Sequence, residues 1–231
     1  MIFLSIKDRL SDVRLRIETA AKASGRNPDE ITLIAVTKTY PVDAMNEAIS
    51  LGVTDIGENK PQEVRDKFDG VLPVKWHLIG HLQTNKVKYV IDRCTMIHSV
   101  DSIKLINEIE RQAKGKNRHI DILIEVNISG EETKSGITPN ELPVFLEYAQ
   151  NLEFTHIKGL MTVAPKVENG DPDVHFKNMK DLFDNVRKQS YKNVTMTELS
   201  MGMSGDYEIA IRYGATMVRI GSAIFGPRNY N

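Results

Sequence analysis

The sequence has very little cysteine. Its 231 residues include one cysteine, Cys94, so the chain cannot form an intramolecular disulfide. Cys94 lies in the apolar-leaning stretch 93–97, and this setting predicts a buried, unreactive thiol rather than a nucleophile. No cluster of cysteine and histidine residues has the spacing of a zinc site, so the sequence predicts no metal centre.

Long apolar runs are also missing. No stretch approaches the roughly 20 residues that span a bilayer, and charges appear at Lys7, Asp8 and Arg9, too early for the core of a signal peptide. We therefore expect a cytoplasmic protein that does not bind a membrane.

A charge excess of one sign is absent too, because the 30 Lys and Arg residues are balanced by 31 Asp and Glu residues, which gives a net charge of -1. This near balance gives no electrostatic footprint for nucleic acid, which we do not expect as a partner.

The first element that the sequence does predict is an amphipathic helix. Ile6, Leu10, Val13 and Ile17 lie on one stripe with charged residues between them, and the pattern ends near Gly25. We interpret this segment as a packing helix that covers one end of the fold.

After this helix, short apolar runs rich in β-branched residues alternate with stretches of helical character. Eight such runs are typical of buried strands. They are 31–36, 53–56, 75–79, 96–100, 120–126, 155–160, 195–199 and 216–220. The connections are too long for hairpins, so neighbouring strands should be parallel. The pattern predicts an α/β fold, a (β/α)8 TIM barrel with an extra N-terminal helix, as a single domain over residues 1–231.

The main alternative to the barrel is a doubly wound open sheet. That fold would place a glycine-rich phosphate turn after its first strand, whereas here the first strand leads into the segment Thr37–Pro41. In a barrel the active site lies at the carboxyl ends of the strands. The residues that follow each strand are therefore the candidates for chemistry.

The first strand delivers Lys38 to this end of the barrel. Lysine is rarely buried unless it is paired or functional. Desolvation can leave a lysine amine neutral, so that it attacks a carbonyl carbon and forms a Schiff base. The alternative is a lysine that extends its head group into solvent, and Lys38 taken alone favours this simpler interpretation.

Other strands also lead to polar residues. The second strand leads to Asn59, the third contains His77, and the fifth leads to Asn127. Each of these residues taken alone fits a loop turn or a helix cap. Four other histidines fit no constellation, and we expect them to be structural, namely His98, His119, His156 and His175.

The last two strands carry the strongest chemical signal. The seventh leads into a segment with Ser200 and Ser204 that opens a helix, and the eighth leads to Gly221 and Ser222. Helix N-termini offer free N–H groups and a positive dipole end, which suit a phosphate dianion. Barrels often bind phosphate at these two loops. The alternative is that Ser204 merely caps its helix.

Arg219 lies inside the apolar run of the last strand. An arginine that points into a barrel must have a partner, because its charge cannot be removed by loss of a proton. An arginine that points outward could pair with a carboxylate on a helix. The alternation of residues along the strand leaves both orientations open.

Seven segments together resemble the pyridoxal phosphate homeostasis protein family. They are 34–39, 57–59, 76–86, 134–136, 159–161, 199–204 and 218–226, and they occur in the right order over nearly the whole length of the chain. The resemblance implies a fold-type III barrel, like the barrel half of alanine racemase, with pyridoxal 5'-phosphate (PLP) as its cofactor. It also implies a role in intracellular PLP homeostasis, by binding and buffering PLP and delivering it to apo-enzymes, without strong catalytic activity.

The resemblance also assigns roles to individual residues. Lys38 matches the Schiff-base lysine, Arg219 the arginine that faces the pyridine nitrogen, and Asn59 the asparagine near the ring. The segments that hold the phosphate correspond to Ser200, Ser204, Gly221 and Ser222. The family commonly has tyrosine after Gly-Glu-Asn, whereas this sequence has Lys60.

Two enzyme functions are the alternatives. One is a PLP-dependent amino-acid racemase with a weak or unknown substrate. The other is a barrel aldolase that uses Lys38 on a sugar phosphate without a cofactor. A cationic Arg219 beside the pyridine nitrogen would disfavour protonation of that nitrogen. The ring would then be a weaker electron sink, which favours the binding function.

Overall fold

A computed structural model of the protein describes residues 4–165 and 171–227. Within them, eight parallel strands close into a barrel in sequence order, and β8 pairs with β1. The strands are β1 (Thr32–Val36), β2 (Asp55–Glu58), β3 (Lys75–Leu78), β4 (Cys94–Val100), β5 (Ile120–Glu125), β6 (Thr155–Met161), β7 (Val194–Met203) and β8 (Met217–Ile220). The predicted (β/α)8 barrel is confirmed, and the largest difference in boundaries is the extension of β7 to Met203.

Helices lie outside the barrel, and those between consecutive strands return the chain to the amino-terminal end of the next strand. They are α1 (Ile6–Ala23), α2 (Val42–Ser50), α3 (Pro61–Lys67), α4 (Ile103–Gly115), α5 (Leu142–Ala149), α6 (Pro172–Arg187), α7 (Tyr207–Arg212) and α8 (Ser222–Phe225). A 3₁₀ helix, Thr84–Tyr89, takes the place of an α-helix between β3 and β4. Helix α4 shows why these segments are helical. Leu105, Ile109 and Ala113 recur at helical spacing and are buried, and the Ser102 hydroxyl caps its first turn.

The N-terminal helix α1 forms as predicted but packs in a different place. A capping box starts it, in which the Ser5 hydroxyl accepts a hydrogen bond from the Asp8 N–H at 3.1 Å. Leu10, Val13 and Ile17 are buried, and the helix contacts α2, α7 and α8. The helix therefore lies in the outer layer and not over an end of the barrel. The physical reason is that α8 has only four residues, so it leaves a space in the outer helical layer that α1 fills.

Side chains of the strands alternate between two cores. Ala35, Ile97 and Val218 belong to the large apolar core between barrel and helices. Residues of the opposite parity face the barrel interior, where a small apolar cluster forms. Its members are Ile34, Met96, Leu123, Met161 and Met217. Six polar residues of this same parity are also buried, namely Asp55, His77, His98, Glu125, Ser200 and Arg219.

Cys94 begins β4 and is both buried and free. Burial raises the pKa of its thiol to about 12, so the reactive thiolate is scarce at neutral pH. The predicted burial of this thiol is confirmed.

Among residues 4–165 and 171–227, no helix combines the length and apolarity needed to cross a bilayer. In the same part of the chain, no group of three or more His, Cys, Asp or Glu side chains is arranged to hold a metal ion.

Candidate functional site

A cavity of about 360 Å³ opens at the carboxyl end of the barrel. Six of the seven residues with predicted roles line it, namely Lys38, Asn59, Ser204, Arg219, Gly221 and Ser222. A larger cavity of about 670 Å³ lies at the opposite end, beside the first residues of β1, β2 and β3. Active sites of (β/α)8 barrels lie at the carboxyl end, so the smaller cavity is the candidate site.

Lys38 lies in a tight turn directly after β1. The Tyr40 N–H donates to the Thr37 carbonyl oxygen at 3.1 Å. Thr39 has a φ of 69°, in the left-handed region that β-branched residues rarely adopt. Such a conformation persists only where the surrounding structure holds it, so the contacts on each side of Lys38 are part of the site.

Charged side chains hold the peptide groups on both sides of Lys38. The Lys67 ammonium donates to the Thr37 carbonyl oxygen at 3.1 Å. On the other side, the Thr39 N–H donates to the Glu63 carboxylate at 2.9 Å. Lys67 and Glu63 are themselves paired at 2.7 Å. The pair thereby holds the turn that presents Lys38.

Glu58, the last residue of β2, supports this pair from the core. Its fully buried carboxylate accepts hydrogen bonds from the Lys67 ammonium at 2.9 Å and the Thr37 hydroxyl at 2.8 Å. Burial raises the pKa of Glu58, and the Lys67 charge opposes that rise. Sequence analysis used Glu58 only as part of a motif and missed its role beneath the Lys38 turn.

Further contacts join the end of β1 and the turn after it to the segment that follows β8. The Tyr40 hydroxyl donates to the Gly226 carbonyl oxygen at 2.7 Å, and its ring lies 4.8 Å from the Phe225 ring, centroid to centroid. A Cβ at Gly221 would lie 3.3 Å from both the Cβ and the carbonyl oxygen of Val36. Glycine therefore lets the ends of β1 and β8 approach closely at the cavity.

Ser204 joins the loops that follow β7 and β8. Its hydroxyl accepts a hydrogen bond from the Gly221 N–H at 3.2 Å. The alternative that Ser204 caps a helix is wrong, because α7 begins at Tyr207 and its N-cap residue is Asp206. Asp206 instead accepts a hydrogen bond from the Met203 N–H and closes the loop.

Ser200 is the one predicted phosphate ligand that does not line the cavity. It is fully buried, and its hydroxyl accepts a hydrogen bond from Arg219 Nη1 at 2.6 Å. The same hydroxyl lies 3.0 Å from His98 Nδ1. Because β7 continues to Met203, Ser200 belongs to the strand and not to the loop after it. The structure therefore separates Ser200 from the other six residues and places it in the barrel interior, where it is hydrogen-bonded to Arg219.

Arg219 points into the barrel. The alternation of residues along the last strand had left both the inward and the outward orientation open. Its Nη2 donates to the Thr162 carbonyl oxygen at 2.9 Å, and the residue is 4% exposed. Burial lowers the pKa of Arg219 to about 10, while the charges of Glu125 and Asp206 oppose that fall. The guanidinium therefore stays protonated at neutral pH, and the cavity has a fixed cation in its wall.

Glu125 is a titratable group of the interior that sequence analysis missed. It is the last residue of β5 and is 6% exposed. Burial raises its pKa to about 7, the charge of Asp101 adds to the rise, and Arg219 opposes it. The available signal was a carboxylate within an apolar strand, since Glu is seldom buried without a partner.

Asn59 lines the cavity after β2, and its backbone is closely approached by Gly80. A Cβ at Gly80 would lie 2.4 Å from the Asn59 carbonyl oxygen, so this approach requires glycine. Lys60, which stands where the family commonly has tyrosine, is exposed at the start of α3. It is not among the residues that line the cavity.

The fold and the site define a class of protein, a (β/α)8 barrel whose carboxyl-end cavity is lined by an amine, a guanidinium and hydroxyl groups. The family model for the alanine racemase N-terminal domain matches residues 9–229. The chain is 42% identical over 226 residues to the pyridoxal phosphate homeostasis protein of Aquifex aeolicus, covering 96% of this chain and 98% of that protein. It belongs to the pyridoxal phosphate homeostasis protein family, as the motifs predicted.

Solved structures agree with this assignment. PipY of Synechococcus elongatus, determined with PLP bound, superposes with a TM-score of 0.82 at 30% identity, covering 96% of this chain and all of that one (100%). The alanine racemase of Clostridium difficile 630 superposes with a TM-score of 0.72 at 16% identity, covering 92% of this chain and 56% of that one. The second likeness shows a shared barrel fold.

Proposed function

We propose that this chain binds PLP in the carboxyl-end cavity and serves in the homeostasis of that cofactor. The observation that carries the proposal is the convergence of Lys38, Arg219 and Ser204 on one cavity of about 360 Å³. That volume lies within the range of small-molecule sites. The relative from Synechococcus elongatus, solved with PLP bound, supports the same ligand.

The groups around the cavity match the groups of the cofactor, which carries an aldehyde, a pyridine nitrogen and a phosphate. Lys38 offers a primary amine to the aldehyde, and Arg219 offers N–H donors to the lone pair of the pyridine nitrogen. Ser204 and the segment 221–222 offer hydroxyl groups and backbone to the phosphate, and Asn59 would lie near the ring. Each group of the cofactor thus has a complementary partner.

The charge of Arg219 favours binding of the cofactor over catalysis with it. Bound PLP supplies an electron-withdrawing ring that stabilises negative charge on an attached carbon, and a protonated pyridine nitrogen strengthens that effect. Arg219 remains protonated at neutral pH. A second cation beside it is unfavourable, so the arginine keeps the proton off the ring nitrogen.

The racemase alternative is less well supported, because racemisation needs a base on each face of the ring. Among the described residues that line the cavity, Lys38 is the only one whose side chain can act as a base. We therefore favour binding, buffering and delivery of PLP to apo-enzymes. Proton exchange at the α-carbon of amino acids in deuterated water tests the alternative, and we expect no exchange beyond that with free PLP.

Borohydride trapping tests the binding proposal. The purified protein is incubated with PLP, its visible absorption is recorded, and the reduced adduct is located by peptide mapping. We expect the adduct on Lys38, its loss in Lys38→Ala, and its retention in Lys60→Ala, a control at an exposed neighbouring lysine. An adduct on a different lysine, or no visible band in the wild type, would contradict the proposal. A colourless protein that reacts with sugar phosphates would favour the aldolase.

Delivery to apo-enzymes needs a separate experiment. Loaded protein is mixed with an apo-enzyme that requires PLP, in the presence of a phosphatase that destroys free PLP. Reactivation that survives the phosphatase supports direct transfer. Reactivation that disappears as completely as it does with free PLP contradicts direct transfer and leaves binding and buffering as the function.

A further inference from the structure

Buried polar side chains form a continuous chain across the barrel interior, which we call the interior chain. From one end to the other, its members are Asp55, His77, His98, Ser200 and Arg219. The Asp55 carboxylate lies 2.9 Å from His77 Nε2, and His77 Nδ1 lies 2.9 Å from His98 Nε2. The Ser200 hydroxyl lies 3.0 Å from His98 Nδ1 and 2.6 Å from Arg219 Nη1. The interior chain thus links the candidate site to the first residue of β2 at the other end of the barrel.

The chemistry of the two ends sets the direction of every bond. A guanidinium only donates and a carboxylate only accepts, so Arg219 donates to Ser200 at one end and His77 donates to Asp55 at the other. Ser200 is then free to give its own hydrogen to His98 Nδ1. His98 donates from Nε2 to His77 Nδ1. All four bonds point the same way, and both imidazoles are neutral with their hydrogen on Nε2.

The opposite direction is less favourable. It would require a charged His77 that donates from both nitrogens, and the Ser200 hydrogen would have no acceptor within the interior chain. Burial, with His77 and Arg219 nearby, holds the pKa of His98 well below its usual value. A neutral His98 agrees with the first arrangement.

Apolar side chains could have filled this space, as Ile34 and Met161 do nearby. Burying a carboxylate and two imidazoles costs free energy unless each is hydrogen-bonded. The polar groups fix an orientation that apolar groups would not, because a linear series of hydrogen bonds defines one position for the group at its end. That group is Arg219, which also lines the cavity.

We propose that the interior chain is a positioning device, which orients Arg219 toward the ligand in the cavity. This inference rests on the proposed function, since the ligand it concerns is PLP. Asp55, His77, His98 and Ser200 then act through Arg219 without touching the ligand. The interior chain does not relay protons to the ligand, because the guanidinium at its end keeps its proton at neutral pH.

Nitrogen-15 NMR of the two imidazoles tests the direction of the bonds without any ligand or substitution. We expect His77 and His98 to be neutral at pH 7, each with its hydrogen on Nε2. A charged His77, or a hydrogen on Nδ1 of either residue, would overturn the arrangement. Exposed histidines of the same sample, such as His81, provide the reference signals.

A second test compares two serines. Ser200→Ala removes the link next to Arg219, whereas Ser204→Ala removes a hydroxyl from the cavity wall. We expect Ser200→Ala to lower PLP affinity about tenfold, because Arg219 loses the hydrogen bond that orients it toward the ligand. It should also shift the visible band of bound PLP, since the cation beside the ring nitrogen is no longer held. Ser204→Ala should weaken affinity without that shift.

A double-mutant cycle separates positioning from general support of the fold. In an Arg219→Met background, Ser200→Ala should change PLP affinity less than about twofold, because its partner is gone. Equal losses in both backgrounds would overturn the inference. If Arg219→Met does not fold, His98→Leu replaces it as the test. A wild-type band and affinity in His98→Leu would overturn the inference just as well.

The outcomes distinguish this inference from the proposed function. A wild-type protein that does not bind PLP would refute the proposed function, while the imidazole signals would still report on the interior chain. A wild-type protein that binds PLP, together with unchanged binding and spectrum in Ser200→Ala, would refute only the positioning role.

Discussion

Replacing Glu125 with glutamine should change how the stability of the protein depends on pH. Glutamine has nearly the shape of a protonated glutamate, so the substitution removes the titration and keeps the packing. Glu125 ends β5 and is 6% exposed. Burial raises its pKa to about 7, with Asp101 adding to the rise and Arg219 opposing it.

The sign and the size follow from the two pKa values of Glu125. In the unfolded chain the carboxyl titrates near its ordinary value of 4.5, and in the folded protein near 7. Between these values the folded protein keeps a proton that the unfolded chain has released, so stability falls as pH rises. The contribution of Glu125 is fully present below pH 4.5 and is lost as pH rises through about 7. At about 1.4 kcal/mol per pKa unit, the loss is about 3 kcal/mol.

Urea denaturation of the wild type and Glu125→Gln, in the same buffers between about pH 4 and pH 8, measures this difference. We expect the free energy of unfolding of the variant, relative to the wild type, to increase by about 3 kcal/mol across that range. Other titrating groups contribute to both proteins and cancel. Asp101→Asn serves as a control. Loss of this like charge should lower the pKa of Glu125 and thereby narrow the pH range over which Glu125 changes the stability. A difference between the two proteins that stays constant with pH would refute the reasoning.

Other contacts lead to further expected outcomes. Gly159→Ala would place a Cβ 1.7 Å from the Glu198 carbonyl oxygen, so denaturation should show a loss of about 3 kcal/mol or more, and an unchanged melting temperature would contradict this. Lys67→Met would leave the buried carboxylate of Glu58 without its ion-pair partner, at a cost of about 3 kcal/mol, and should slow borohydride-trapped adduct formation at Lys38. Lys67→Arg, which keeps the charge, should retain most of the stability and most of the rate of adduct formation. His98 should lower stability below about pH 6.5, because the unfolded chain takes up a proton there that the buried imidazole does not. The difference in unfolding free energy between the wild type and His98→Leu should therefore change below that pH, and an equal pH dependence in both proteins would contradict this assignment.

The secondary structure could be predicted because its signals are local. The run 120–126 has the apolar, β-branched composition of a buried strand whatever its partners are, and it contains β5. Leu10, Val13 and Ile17 recur at helical spacing, and α1 buries all three. Eight strand-like runs separated by helical stretches leave few possible architectures. The barrel was therefore predictable, whereas the packing of α1 was not, because it depends on the short α8.

The candidate site could be predicted in part. Strand ends and family motifs pointed to Lys38, Arg219 and Ser204, which line one cavity. Ser200 was placed with them because it follows the predicted strand 195–199. In the structure β7 extends to Met203, so Ser200 lies inside the barrel. A motif identifies a segment, but the end of a strand depends on its pairing with neighbouring strands.

The sequence by itself determined the order of strands and helices, the family, and which residue types reach the carboxyl end of the barrel. Only the tertiary structure decided that Arg219 points inward, that Glu125 titrates near 7, and that the interior chain exists. The physical reason is that these properties depend on distance and burial, which strand closure sets. His98 and Ser200 are 102 residues apart in sequence and 3.0 Å apart in the barrel. No local sequence pattern predicts that contact, because the sequences of the two strands would indicate buried strands equally well without it.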